Sequence, residues 1–305
     1  MGFPRKPGLK VFTFFARLLK SASMARKIVK DFNPQVAIGV GGFASGPLLR
    51  AAAAKGIPTL IQEQNSYAGI TNKLLSKKVR SVCVAYDKMD RYFPSGKIVI
   101  TGNPVRENLL QEKRNKKEAL DFFGLKEDEK VILVVGGSLG ARSVNNAVLK
   151  NMQQIAKSGV KLIWQTGAIY YERIQNELKN NQPENVQIHQ FISRMDLAYA
   201  VAGVVISRAG AGTISELCLV GKPTILVPSP NVSEDHQTKN ALALVDKKAA
   251  LMVRDNEIDD KLFPLSLQVV ANENQLTNLS EEIRKLAKPN ATKTIVDEAE
   301  KLIVK

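Results

Sequence analysis

The sequence predicts an α/β protein of two doubly wound parallel-sheet domains, and three observations carry that expectation. Short apolar runs alternate with amphipathic stretches along the chain. The alternation pauses near Gly102-Asn103-Pro104 and the charged stretch Glu112–Lys117, then restarts. The length of 305 residues accommodates two domains of about 150 residues each. Strands spaced by helices pair in parallel through right-handed crossovers.

In chain order, Gly8–Asp31 reads as an opening amphipathic helix. Val36–Gly39, Pro58–Ile61, Val82–Ala85 and Ile98–Thr101 read as buried strands, with helices such as Ser45–Lys55 and Ile70–Lys77 between them. After the break, Val131–Val135, Leu162–Gln165, Val186–His189, Val204–Ser207, Thr224–Val227 and Ala250–Val253 are strand-like, each followed by a helical stretch. A last helix, Ala291–Val304, follows Pro289 and is expected to return to the first domain. The expected parts are therefore 1–105, 106–288 and the helix 289–305. A doubly wound domain normally begins with a central strand and a ligand-binding turn. This chain begins with a helix, so the first domain is expected to be incomplete at its start.

The formal charge of +15 is unevenly placed. Residues 1–105 hold 17 Lys/Arg against 4 Asp/Glu, a net of +13; residues 106–305 hold 27 against 25, a net of +2. The first half is built to face a polyanion, whether nucleic acid, an anionic lipid surface or a phosphorylated substrate, unless its lysines are simply a solvated surface. No aromatic stacking platform accompanies the basic residues, so nucleic acid is not the expected partner. Cys83 and Cys218 sit in apolar runs without ligand spacing and read as buried thiols in a reducing compartment. No apolar run reaches the roughly 18 residues that span a bilayer, and Arg17 and Lys20 break the opening stretch as a signal peptide.

Three glycine-rich turns follow strands and precede helices: Gly39–Gly46, Gly136–Arg142 and Ser207–Glu216. Glycine allows tight turns and close backbone approach, and the helix N-terminus beyond offers free N–H groups, so phosphate is the natural guest. None matches GxGxxG with an acidic residue about 20 positions on, which argues against a nicotinamide enzyme. Glu216, in the first turns of its helix, is placed to accept both hydroxyls of a ribose, or is a surface or capping glutamate. Asp235-His236-Gln237 opens another helix, as sugar ligands or as an N-cap. Gln62–Gly69 follows a strand as a polar loop, suited to sugar recognition or simply a turn. With two histidines, His189 and His236, there is no Ser/His/Asp or metal-ligand pattern. In the opening helix, Val11, Phe14, Phe15, Leu18, Ala22, Ala25 and Val29 form a stripe that Phe12 and Leu19 widen. Residues 1–30 carry eight Lys/Arg and no acid. Such a helix docks on an anionic membrane surface or packs on its sheet.

Taken together, Gly41–Pro47, Glu63–Asn65, Gly102–Arg106, Gly136–Arg142, Ser207–Glu216 and Asp235–Gln237, in this order, resemble the bacterial undecaprenyldiphospho-muramoylpentapeptide β-N-acetylglucosaminyltransferases, the MurG family. The resemblance runs from about residue 8 to the end. It implies a GT-B fold and transfer of N-acetylglucosamine from UDP-N-acetylglucosamine to lipid I, with inversion, giving lipid II at the cytoplasmic face of the plasma membrane. It implies no cofactor and no metal; helix dipoles and backbone amides would carry the diphosphate. It assigns Ser138 and its turn to the diphosphate, Glu216 to the ribose, the backbone at Phe191-Ile192 to uracil, and Gln237 with His236 to the sugar. It also assigns Asn65 to the sugar from the first domain, Arg106 to sensing nucleotide and closure, and Gly41 and Gly42 to the diphosphate of lipid I. The basic helix 8–31 would meet the membrane.

Two departures qualify the carry-over. Gln62 stands where the family has histidine. The family's opening strand and Gly-Gly-Thr-Gly-Gly-His turn, which holds its general-base candidate, have no match here, so no catalytic residue is assigned. The rival expectations are a non-catalytic nucleotide-sugar-binding protein and a UDP-N-acetylglucosamine 2-epimerase of the same fold.

Overall fold

The structure is a computed structural model describing residues 9–109 and 116–303, the side chains of 9–15, Asn108 and Ser233 excepted. It divides into two compact units, 1–104 with 290–305 and 105–289. The cuts fall one residue before and one residue after the breaks expected from the sequence.

In the first unit, helix α1 (Leu9–Phe32) leads into strand β1 (Ala37–Gly39), α2 (Gly42–Ala54), β2 (Thr59–Glu63), α3 (Ile70–Ser76), β3 (Ser81–Val84) and β4 (Ile98–Ile100). The four strands form a parallel sheet in the order β1-β2-β3-β4. Alternation sorts its faces. Ile61, Val82 and Val84 pack with Val29 of α1, Leu49 and Ala52 of α2 and Leu75 of α3. A short ammonium clamp ends α3: Lys97 Nζ donates to the carbonyls of Ser76, Lys77 and Val79 at 3.2, 2.9 and 2.8 Å, covering helix-end acceptors left without intrahelical donors.

Helix α1 departs from its expected stripe. Ala25 and Val29 are buried, but Leu18 is exposed, and Val11, Phe12, Phe14 and Phe15 lie outside the described side chains. A second apolar row at four-residue spacing, Met24, Ile28 and Phe32, also faces solvent, with Leu19 and Phe32 71% and 80% exposed. Val29 packs in one cluster with Leu49 and Ala52 of α2, and the larger side chains of the helix are left outside.

In the second unit the order is α4 (Lys116–Phe123), β5 (Val131–Val135), α5 (Arg142–Lys150), α6 (Met152–Lys157), β6 (Lys161–Gln165), α7 (Tyr171–Leu178), β7 (Val186–His189), α8 (Met195–Val201), β8 (Val204–Ser207), α9 (Ala211–Val220), β9 (Thr224–Leu226), α10 (His236–Val245), β10 (Leu251–Met252), α11 (Ile258–Ala271) and α12 (Glu273–Arg284). The parallel sheet runs β10-β9-β8-β5-β6-β7. β5 is apolar and buried at every position, as a central parallel strand must be. Its Ile132 and Val134 pack with Val144 and Val148 of α5, Ile174 of α7 and Leu262 and Phe263 of α11. Strand order reverses between β5 and β8, the place where loops diverge and ligands bind in such sheets. The four- and six-stranded parallel sheets match the predicted fold class.

The chain then closes with α13 (Ala291–Ile303). Its Ile295, Ala299 and Leu302 cover Leu60 and Cys83 on the other face of the first sheet. Among the described residues, no helix is long and apolar enough to cross a membrane.

Candidate functional site

At the switch point, Val135 and Ser207 are paired neighbours at the carboxyl ends of β5 and β8. The turns that follow them border a cavity of about 540 Å³ with Gly136, Gly137, Gly140, Gly210 and Thr213 among its walls. Gly137 and Gly140 have φ of 86° and 81°. A Cβ at Gly140 would lie 2.0 Å from the Thr166 carbonyl oxygen, and one at Gly167 would lie 2.2 Å from the Gly140 nitrogen. Two turns are thus pressed backbone to backbone, and only glycine fits the contact. The first leads into the N-terminus of α5, where free N–H groups and the helix dipole favour an anion.

Gln165, the buried last residue of β6, fixes this turn to the next loop. Its Nε2 donates to the Gly137 carbonyl at 3.2 Å and its Oε1 accepts from Ile192 N–H at 2.9 Å. Ile192 is itself buried with its N–H bonded to Gln165, while its neighbour Phe191 is exposed. Ser138 is exposed at the tip of the glycine turn.

Glu216 lies on α9. Its carboxylate accepts from Arg106 Nε at 3.1 Å and from the hydroxyl of buried Tyr199 at 3.4 Å. Burial raises the Glu216 carboxyl above the usual range, opposed by the Arg106 charge and these two hydrogen bonds. The structure therefore brings together two residues that the sequence placed 110 positions apart. His236 and Gln237 begin α10 after Glu234 and Asp235, both left-handed at φ 56° and 51°. Asp235 does not cap the helix through its side chain, which accepts from Thr238 Oγ1 at 2.7 Å. Gln237 lines the cavity and its Oε1 accepts from Ser229 N–H at 2.8 Å.

In the first unit, Gly41 and Gly42 (φ 87° and 74°) lead into α2. Gln64 Nε2 donates to the Val40 carbonyl and to Gln62 Oε1, each at 2.7 Å, which draws the first glycine turn to the loop carrying Asn65. Here the structure corrects the sequence reading. Gln62 and Glu63 are not loop residues: the ladder to β3 continues through them, and both are buried. Gln62 Nε2 donates to Asn103 Oδ1 at 2.8 Å. The Glu63 carboxylate accepts from Asn65 N–H at 3.1 Å, Gly69 N–H at 3.0 Å and Asn72 Nδ2 at 2.8 Å, so it shapes the loop from inside.

Sequence reasoning gave no individual role to Gln165, Ser143, Arg208 (inside the third glycine turn) and Asp255. The last three line the cavity. A polar residue closing an apolar strand was the available signal for Gln165; for Asp255, beyond the sheet's edge strand, there was none. Among the described residues, no group of three or more His, Cys, Asp or Glu side chains forms a metal-binding set.

Two family models match the chain: the glycosyltransferase family 28 N-terminal domain over residues 1–84 and the family 28 C-terminal domain over residues 131–295. The chain is 53% identical over 303 residues to the UDP-N-acetylglucosamine–N-acetylmuramyl-(pentapeptide) pyrophosphoryl-undecaprenol N-acetylglucosamine transferase of Bacteroides fragilis, covering 99% of this chain and 80% of that protein. Among solved structures it is similar to MurG of Acinetobacter baumannii, with a TM-score of 0.78 and 32% identity over 93% of this chain and 78% of the other. The UDP-N-acetylglucosamine 2-epimerase of Neisseria meningitidis, bound to UDP-N-acetylglucosamine, gives a TM-score of 0.67 at 16% identity, covering 98% of this chain and 83% of that one, a likeness of fold alone.

Proposed function

The chain belongs to the MurG family within glycosyltransferase family 28, and on that premise we propose that it transfers N-acetylglucosamine from UDP-N-acetylglucosamine to undecaprenyl-pyrophosphoryl-N-acetylmuramyl-pentapeptide. In the reaction an acceptor hydroxyl oxygen bonds to the anomeric carbon of the sugar. The bond from that carbon to the β-phosphate oxygen breaks, UDP leaves with the electron pair, and the hydroxyl proton passes to a base. Attack opposite the leaving group inverts the anomeric carbon.

The observation that carries this reading is the glycine-walled cavity at the switch point of the second sheet. The amides of the Gly136–Arg142 turn, with Ser138 at its tip, hold the donor diphosphate. Glu216 accepts from the ribose hydroxyls, Arg106 keeps that carboxylate oriented and charged, and the Phe191-Ile192 loop meets uracil. Gln237, whose Oε1 is engaged by Ser229, offers its Nε2 to the sugar, with His236 beside it. In the first unit, Gly41 and Gly42 cradle the acceptor diphosphate and Asn65 binds a sugar hydroxyl. The protein works peripherally at the cytoplasmic face of the membrane, where exposed Leu19, Met24, Ile28 and Phe32 enter the interface beside Arg17, Lys20, Lys27 and Lys30.

Calorimetric titration tests the donor assignment. UDP-N-acetylglucosamine is expected to bind in preference to ADP-glucose and GDP-mannose. Glu216→Gln is expected to weaken it about tenfold or more, the worth of hydrogen bonds to a charged acceptor. Equal affinity for the three nucleotide sugars would overturn the reading.

A further inference from the structure

We propose that Arg208 is a positioning residue of the donor site, acting through Ser143 and Asp255 rather than by touching the diphosphate; this rests on the donor reading above. Arg208 follows β8, Ser143 is the second residue of α5, and Asp255 lies three residues beyond β10. The three come together at the cavity wall. Arg208 Nη1 donates to Asp255 Oδ1 at 2.5 Å and to the carbonyls of Val227 and Pro228 at 3.1 and 3.2 Å. Its Nη2 donates to Ser143 Oγ at 2.6 Å, and that hydroxyl donates onward to Asp255 Oδ1 at 2.7 Å.

Arg208, Ser143 and Asp255 close a ring from three separate segments, and Arg208 ties in a fourth through the Val227 and Pro228 carbonyls. Arg208 and Asp255 are only 16% and 22% exposed, so water screens their attraction little. The ring holds the α5 N-terminus, where the diphosphate is read by backbone amides, at a fixed distance from the end of β9. Pro228 then passes the constraint on, because the next residue, Ser229, donates its N–H to Gln237 Oε1. One guanidinium thus spaces the diphosphate-binding turn from the sugar-facing amide. It is also a neutralised guanidinium: Asp255 cancels its charge, and both of its terminal nitrogens are already donating to protein. A planar fork suits this task, and a lysine, a single point donor, could serve only part of the ring.

Asp255→Asn separates this role from direct ligation by the sign of its effect. A phosphate-binding Arg208 would be released by the loss of its counter-ion and bind UDP-N-acetylglucosamine more tightly. A positioning Arg208 loses its seat, so binding weakens, with about tenfold expected for one hydrogen bond to a charged group. Ser143→Ala, a milder change that keeps both charges, is expected to weaken it several-fold, and Arg208→Lys is expected not to restore wild-type affinity. Uridine, which lacks both diphosphate and sugar, serves as the second probe and is expected to bind all variants as it binds wild type. Tighter or unchanged UDP-N-acetylglucosamine binding by Asp255→Asn and Ser143→Ala overturns the proposal while the donor reading stands. Equal losses for uridine and UDP-N-acetylglucosamine also overturn it, since they indicate general unfolding rather than positioning. A wild-type chain without preference for UDP-N-acetylglucosamine overturns the donor reading itself.

Discussion

Gly140→Ala isolates the contact on which the donor turn rests. At φ 81° an alanine costs roughly 1–2 kcal/mol in the left-handed region. Its Cβ would also stand 2.0 Å from the Thr166 carbonyl oxygen and 2.8 Å from Tyr170 Cδ2, so the Thr166–Gly167 backbone must retreat. That same oxygen accepts from Asn145 Nδ2 at 2.9 Å, and Asn145 is buried with its Oδ1 accepting from Trp164 Nε1 at 3.0 Å. Leaving this donor unpaired adds roughly 1–3 kcal/mol, for a total of roughly 2–5 kcal/mol. Gly137→Ala is the matched control. Its φ is 86° but nothing lies within 4 Å of its Cβ, so only the backbone cost, roughly 1–2 kcal/mol, applies. Urea unfolding followed by the fluorescence of Trp164, the single tryptophan, reads the second unit directly. Equal destabilisation of the two variants would refute the backbone-to-backbone contact as the reason for glycine at 140.

Other outcomes follow from the charges and the exposed surface. Because burial raises the Glu216 carboxyl, the folded protein holds that proton more tightly than the unfolded chain. The ionised form then costs stability as pH rises through the ordinary carboxylate range to the folded value, and UDP affinity falls as pH drops through that folded value. Arg106, half exposed and so partly screened, opposes the shift; Arg106→Ala is expected to move the loss of UDP affinity to higher pH, and a binding profile that stays in place would contradict the pairing. Burial pushes the Cys83 thiol up to about 11 and the Cys218 thiol up to about 12, so neither is expected to react with iodoacetamide at mildly alkaline pH until denaturant is added; labelling of the native protein, read by mass spectrometry, would count against both placements. Leu19→Glu with Phe32→Glu is expected to weaken sedimentation with phosphatidylglycerol vesicles by more than about tenfold, since each large side chain contributes about 1.5–3 kcal/mol when buried; undiminished sedimentation would remove α1 from the membrane contact.

The strands were legible because each is a short apolar run bounded by glycine, proline or charge, and period and length decide such runs. β5, β7 and β8 begin and end where the sequence placed them. The end of β2 was not legible: Gln62 and Glu63 look like loop residues, and only the ladder to β3 and the amides of Asn65, Gly69 and Asn72 show why two polar side chains belong inside. The glycine turns announced themselves through composition. Their partners did not, because Gln165 and Asp255 act at long sequence separation, and an isolated polar residue carries no mark of what it will meet. The exposed row Met24, Ile28 and Phe32 was hidden in the same way: periodicity shows that a helix has apolar sides but not which one its neighbour covers.

Glu63 turns the Asn65 loop into a ready-made mould. With a buried carboxylate gathering amides from three residues around it, the loop has no need to be ordered by whatever it receives. The conformational entropy of those residues has been surrendered once, during folding, instead of at every encounter. A ligand that meets this loop therefore keeps more of its contact free energy as affinity.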